Sequence, residues 1–231
     1  MPVSSGNAIT ISAEPNDAVE LHGLTVDGSG VGNNGIVFTS GTSLIVVNCV
    51  VRDMTSIGLD FLSTATTPQT LAVSNSYFNN NAVAGIKIAT ESSGAVNAAI
   101  DRTGFYGNLF IGLIADGEFG ARALNVAVTD SVAAHNNVGF AVQSAQGHSL
   151  TTFSVTHSLV EGNVTGFQSS GTGLGNAAMY FGQSTLTGNG TVANNSAGGV
   201  ILSYSDNYLG AGNGLPQGTI GTISKMQVIK S

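Results

Sequence analysis

The sequence predicts an all-β fold, a right-handed parallel β-helix: a solenoid of about seven coils of about 27 residues, with three short strands per coil. Three observations point to it. A glycine followed by a large apolar residue recurs at a fixed step, a pair of apolar residues recurs at that same step, and so does an asparagine. A solenoid produces this pattern because each coil sets equivalent residues one above another.

The glycine-led strand reads Gly35-Ile36, Gly58-Leu59, Gly85-Ile86, Gly112-Leu113, Gly139-Phe140 and Gly166-Phe167, with steps of 23, 27, 27, 27 and 27; Gly199-Val200 continues the row after 33. Two positions beyond each apolar residue stand Phe38, Phe61, Ile88, Ala115, Val142, Ser169 and Leu202. Alternation of period two marks a strand with one face inward. The outward position between reads Val37, Asp60, Lys87, Ile114, Ala141, Gln168 and Ile201, so Ile114 and Ile201 call for a covering loop or a lateral contact.

The second strand has the inward pairs Leu44/Val46, Leu71/Val73, Ala98/Ile100, Val126/Val128, Phe153/Val155 and Met179/Phe181. Three residues on comes a small residue (Cys49, Ser76, Thr103, Ser131, Ser158, Ser184), and two further another apolar set (Val51, Phe78, Phe105, Ala133, Val160, Leu186). The odd step predicts a bend between two short strands. Five residues past the small one stand Asn81, Asn108, Asn136, Asn163 and Asn189, an asparagine ladder that Met54 interrupts. Asn suits left-handed turns and its amide bonds to the Asn above and below. At the inter-strand spacing the stack forms a rod of roughly 34 Å.

Composition narrows the function. Six Lys plus Arg against 13 Asp plus Glu leave a net charge of −7, which excludes a nucleic-acid or anionic-membrane footprint. The 42 % of hydrophobic residues argue for a packed core rather than disorder. No apolar run is long enough for a membrane-spanning helix, and the start Met1-Pro2-Val3-Ser4-Ser5 does not read as a signal peptide. Cys49 is the single cysteine, so no internal disulfide forms. Glycosylation sequons at Asn163, Asn189 and Asn194 are expected from composition alone in so Asn- and Thr-rich a chain.

Residues 1–231 read as a single β-helix domain. Ala8-Ile9-Thr10-Ile11 aligns with Gly35-Ile36-Val37-Phe38, so the repeat begins mid-coil at about residue 8, and an irregular segment follows over 205–231. A solenoid that starts mid-coil is expected to be a fragment of a larger exported protein, with end-to-end or lateral self-association open to its unpaired edge.

Val73-Ser74-Asn75-Ser76-Tyr77-Phe78-Asn79-Asn80-Asn81, followed by Gly85-Ile86-Lys87-Ile88, resembles the parallel β-helix repeat of the pectin lyase-like superfamily, and of its uncharacterised bacterial members in particular. The resemblance covers residues 18–209 at least. It implies polysaccharide as the partner. It also implies clustered carboxylates for Ca²⁺ with a basic residue in the lyases, or three close Asp, a His and an Arg-x-Lys run in the hydrolases. None of those motifs stands in this sequence, and no catalytic residue transfers.

Register nonetheless brings ionisable residues together. Glu91 and Glu118 lie one coil apart with Asp116 beside them, an oxygen set suited to Ca²⁺ or to glycosidase chemistry. Asn48, Asn75, Arg102, Asp130, His157 and Gln183 form a polar row in which Asp130 adjoins His157, as a general base requires, or in which charges simply alternate. The sequence therefore points to a non-catalytic β-helix with a structural, adhesive or glycan-contacting role. The alternatives are a polysaccharide lyase or glycosidase, with Ca²⁺ in the lyase case, and an engineered or truncated solenoid used for self-assembly.

Overall fold

The computed structural model describes residues 2–120, 122–148, 150–171 and 176–223. Its strands stack into three parallel sheets of eight, nine and eight strands among the described residues. One coil shows the pattern: Ala84–Thr90 lies in the first sheet, Val96–Asp101 in the second and Gly104–Tyr106 in the third. Equivalent residues pair one coil apart, as Ile86 with Leu59 and Leu113, Ala98 with Leu71 and Val126, and Phe105 with Phe78 and Ala133. The expected register therefore holds through the body of the rod, including Ile9 opposite Ile36.

The inward faces of the three sheets meet in one apolar core. Phe38 stacks on Phe61 with ring centres 4.5 Å apart, and Phe78 lies 6.0 Å from Phe105. The glycine row follows from close approach of the backbone. A Cβ on Gly58, Gly85 or Gly112 would lie 2.5 Å from the carbonyl oxygen of the next glycine in the row, which no real Cβ tolerates.

Two polar columns line the turns. In the first, the hydroxyls of Ser131 and Ser158 accept from the backbone N–H of Thr103 and Ser131 at 3.1 Å, and that of Ser184 accepts from Ser158 at 3.2 Å. Each hydroxyl also donates to the carbonyl two residues back, as Ser131 Oγ does to Thr129 at 2.7 Å. In the second column Asn81, Asn108, Asn136, Asn163 and Asn189 are buried. The Nδ2 of each donates to the Oδ1 of the next at 2.9–3.0 Å, and Asn213 extends the column. Met54 ends it, its N–H donating to Asn81 Oδ1 at 3.3 Å.

Two expectations are corrected. The ladder asparagines are not the left-handed residues. Those are the residues just before them, such as Asn80 and His135, and a second row comprising Asn48, Asn75, Arg102, Asp130, His157 and Gln183, with φ between 44° and 58°. Gly199-Val200 does not continue the glycine row either. Phe167 pairs with Ala193 of Thr191–Ser196, a step of 26, whereas Val200–Ser203 joins the second sheet with Ile201 opposite Met179. Ile201 is consequently a core residue rather than a solvent-facing one. Ile114 packs with Ile57, Ala84, Val138 and Ala141 on the outer side of the first sheet.

Towards the C-terminus, Tyr208–Leu209 joins the third sheet and Ile220–Thr222 pairs with Val200–Ser203, so the chain lays down a shortened further coil. Of the irregular segment expected over 205–231, residues 224–231 lie outside the described residues.

Candidate functional site

The outer face of the first sheet gathers charge by register. Asp60 lies directly opposite Lys87, and Asp116, opposite Ala89, stands two positions on in the next coil. Lys87 Nζ approaches Asp116 Oδ2 to 3.1 Å, with the Asp116 side chain only 4 % exposed. Asp116 Oδ1 accepts from the Glu118 N–H at 3.2 Å, so Glu118 belongs to the turn that Asp116 closes. Glu91 begins the neighbouring loop, its N–H donating to Ser63. Burial raises the Asp60 carboxyl above the usual carboxylate range; Lys87 opposes this, and Glu91 and Asp116 add to it. Asp60 Oδ1 is buried without a hydrogen-bond partner.

Glu91 and Asp116 thus both come within electrostatic reach of Asp60, with Lys87 completing the strip. The arrangement is a line of alternating charge in which the ammonium neutralises its neighbours. It does not fit Ca²⁺: no three His, Cys, Asp or Glu side chains come together as a metal site among the described residues, and Lys87 stands where a cation would be held.

The third sheet carries a different feature on its outer face. Tyr77 pairs with Gly104 on the neighbouring coil, and Tyr106 lies two residues beyond Gly104 on the same strand. A Cβ on Gly104 would meet Tyr106 Cε2 at 2.4 Å and Tyr77 Cδ1 at 2.7 Å, so both rings lie over the glycine. Their centres are 6.3 Å apart and their planes 27° from parallel, with Tyr77 47 % exposed. A recess of about 220 Å³ opens here, lined also by Arg102, Thr103, Asp130 and Val132. Burial raises the Tyr106 phenol above its ordinary value, and Tyr77 and Glu161 add to the shift.

The left-handed row supplies the rim. Arg102 and Asp130 take φ of 44° and 49° at the bend before this sheet, which turns both side chains outward. Arg102 does not reach for Asp130. Its guanidinium meets Asp101 at 2.6 Å and its Nε donates to Asn75 Oδ1 at 2.9 Å. Asp130 accepts from Thr129 Oγ1 at 3.3 Å. No hydrogen bond or ion pair joins Asp130 to the exposed His157 among the described residues, so the geometry forms no base and orienter pair there.

Of the sequence candidates, then, Asp116 stands in the strip on the first sheet, Glu91 and Glu118 lie in the turns that follow its strands, Asp130 rims the recess on the third sheet, and His157 stands apart. The tyrosine pair was missed. Its signal was an outward aromatic, Tyr77, next to a glycine inside a strand, where glycine marks close approach. Of the three sequons, those at Asn163 and Asn189 have their amides committed to the buried ladder.

The chain matches the family described as right-handed β-helix region over residues 10–189, and it belongs to that family. With that membership the solenoid is a right-handed parallel β-helix of about seven turns. No curated protein and no solved structure matches it significantly. No helix among the described residues is long and apolar enough to cross a membrane.

Proposed function

We propose that the chain is a non-catalytic, glycan-contacting β-helix, and that Tyr77 and Tyr106 form its contact surface. The observation behind this is the pair of rings held side by side over Gly104, with an exposed aromatic face and polar groups at the rim. Flat aromatic faces bury the apolar face of a sugar ring at low entropic cost, while Asp130 and the rim backbone are placed to accept from its hydroxyls. A bacterial origin within the pectin lyase-like superfamily belongs to the same proposal, supported by the repeat.

The chain has no Trp and five Tyr, so tyrosine fluorescence reports on the site over a background from Tyr180, Tyr204 and Tyr208. Titrating a panel of oligosaccharides into the 231-residue chain should change that signal, and Tyr77→Ala or Tyr106→Ala should weaken binding at least tenfold. A panel with no saturable response in the parent chain removes the reading.

One observation favours glycosidase chemistry as a second reading: Asp60 is a carboxyl biased towards its protonated form, with an unpartnered oxygen, beside the Lys87–Asp116 pair. Assaying the same panel for new reducing ends, with Asp60→Asn as the control, tests it; turnover lost in that variant would favour an enzyme.

A further inference from the structure

We infer that the tyrosine recess takes a neutral sugar unit, one or two residues long, and discriminates against uronates. This rests on the glycan-contacting reading above and adds the ligand's length and charge.

Length follows from the columns on which the rings stand. Tyr77 and Gly104 are flanked in their column by Val50 and Val132, and Tyr106 in its column by Asn79 and Ala134. The aromatic surface therefore ends after two neighbouring coils. Sugar units stacked beyond it would meet small aliphatic or amide side chains, so a long polymer gains nothing from added length at this face.

Charge follows from the rim. Arg102 is the only cation lining the recess among the described residues, and its guanidinium is already engaged by the Asp101 carboxylate at 2.6 Å and by Asn75. Asp130 lines the other side, and Glu161 lies close enough to act on Tyr106. Three carboxylates thus stand against one committed guanidinium. The chain as a whole bears −7, so a polyuronate is repelled before it docks. A carboxylate placed about 4 Å from Asp130 is repelled even in water, by about a fivefold loss of affinity for that one contact. A neutral ring loses nothing and presents hydroxyl donors to the same acceptors.

The test uses the 231-residue chain with three probes of matched length, cellohexaose, mannohexaose and hexagalacturonate, followed by ring-proton NMR of the tyrosines and by calorimetry at low and moderate salt. The expected result is binding of a neutral probe that perturbs the Tyr77 and Tyr106 rings and persists in Tyr77→Phe. Hexagalacturonate should bind about tenfold more weakly, the gap narrowing in Asp130→Asn and with added salt. Trimming the neutral probe to a disaccharide should change its affinity by less than threefold. Uronate binding as tight as the neutral probe, still dependent on Tyr77, overturns the charge selectivity while the glycan reading stands. A steep rise of affinity with chain length overturns the length assignment in the same way. If no probe perturbs the two rings, both the inference and the glycan reading fall.

Discussion

Asp60 shows how register decides the behaviour of one side chain. It faces outward, yet Lys87 in the next coil and its burial leave one carboxyl oxygen without a partner. A carboxyl whose folded pKa is raised stabilises the fold fully below its unfolded value of 3.8 and loses that contribution as pH rises through the folded pKa. Asp60→Asn should therefore melt higher than the parent at pH 7 and lose that advantage towards pH 4, as read by calorimetric Tm at the two values. Unchanged differences across the range would mean that Lys87 fully offsets the burial. Single residues were only partly legible in the sequence. Asn81 to Asn189 announced a turn because they repeat, but the strained backbone sits one position earlier, where Asn80, His135 and Gly107 share no identity. Asp53 and Gly162 occupy the same row, so the requirement there is conformational, and no single residue type records it.

At the scale of strands and turns, the ladders explain why the coils keep their step. Asn136 uses its whole amide: Oδ1 accepts from the N–H and Nδ2 of Asn108, and Nδ2 donates to Asn163 and to the carbonyls of Phe105 and Ala134. Asn136→Ala strands several buried groups at once and should cost about 3 kcal/mol in urea unfolding, against well under 1 kcal/mol for an exposed neighbour such as Asn137→Ala. The sequence located every strand from Ile36 to Gly171 because the glycine row is set by backbone contact, and such contact leaves one residue type only. It misplaced Gly199-Val200 for the matching reason. The strand Thr191–Ser196 continues the first sheet with Val192 in the glycine position, at the end of that sheet among the described residues. The periodic signal stops with the contact that produced it, and a later glycine imitates it. The tyrosine pair escaped because outward rows carry no packing constraint that repeats.

For the molecule as a whole, contacts run between neighbouring coils, so stability should accumulate coil by coil. Ile111 and Val138 occupy equivalent positions, and removing residues 111–137 joins Phe110 to Val138 without disturbing that equivalence. The shortened chain should keep its β-type circular dichroism and unfold cooperatively, with an m-value lower by about a tenth. Collapse into an aggregate would show that the coils are not interchangeable. The whole-molecule architecture was the most legible level, because seven coils repeat the same evidence. The surface function was the least, because it depends on what two coils do differently from the rest.

The asparagine column also has a sense. Every Nδ2 points to the following coil and every Oδ1 back to the preceding one, from Asn81 to Asn213, and the hydroxyl column donates upward through its backbone N–H groups in the same direction. The rod is therefore a vector, with amide dipoles added head to tail along its axis. Any chain segment that continues the stack must enter in the same orientation, since a reversed one would oppose oxygen to oxygen in the buried column.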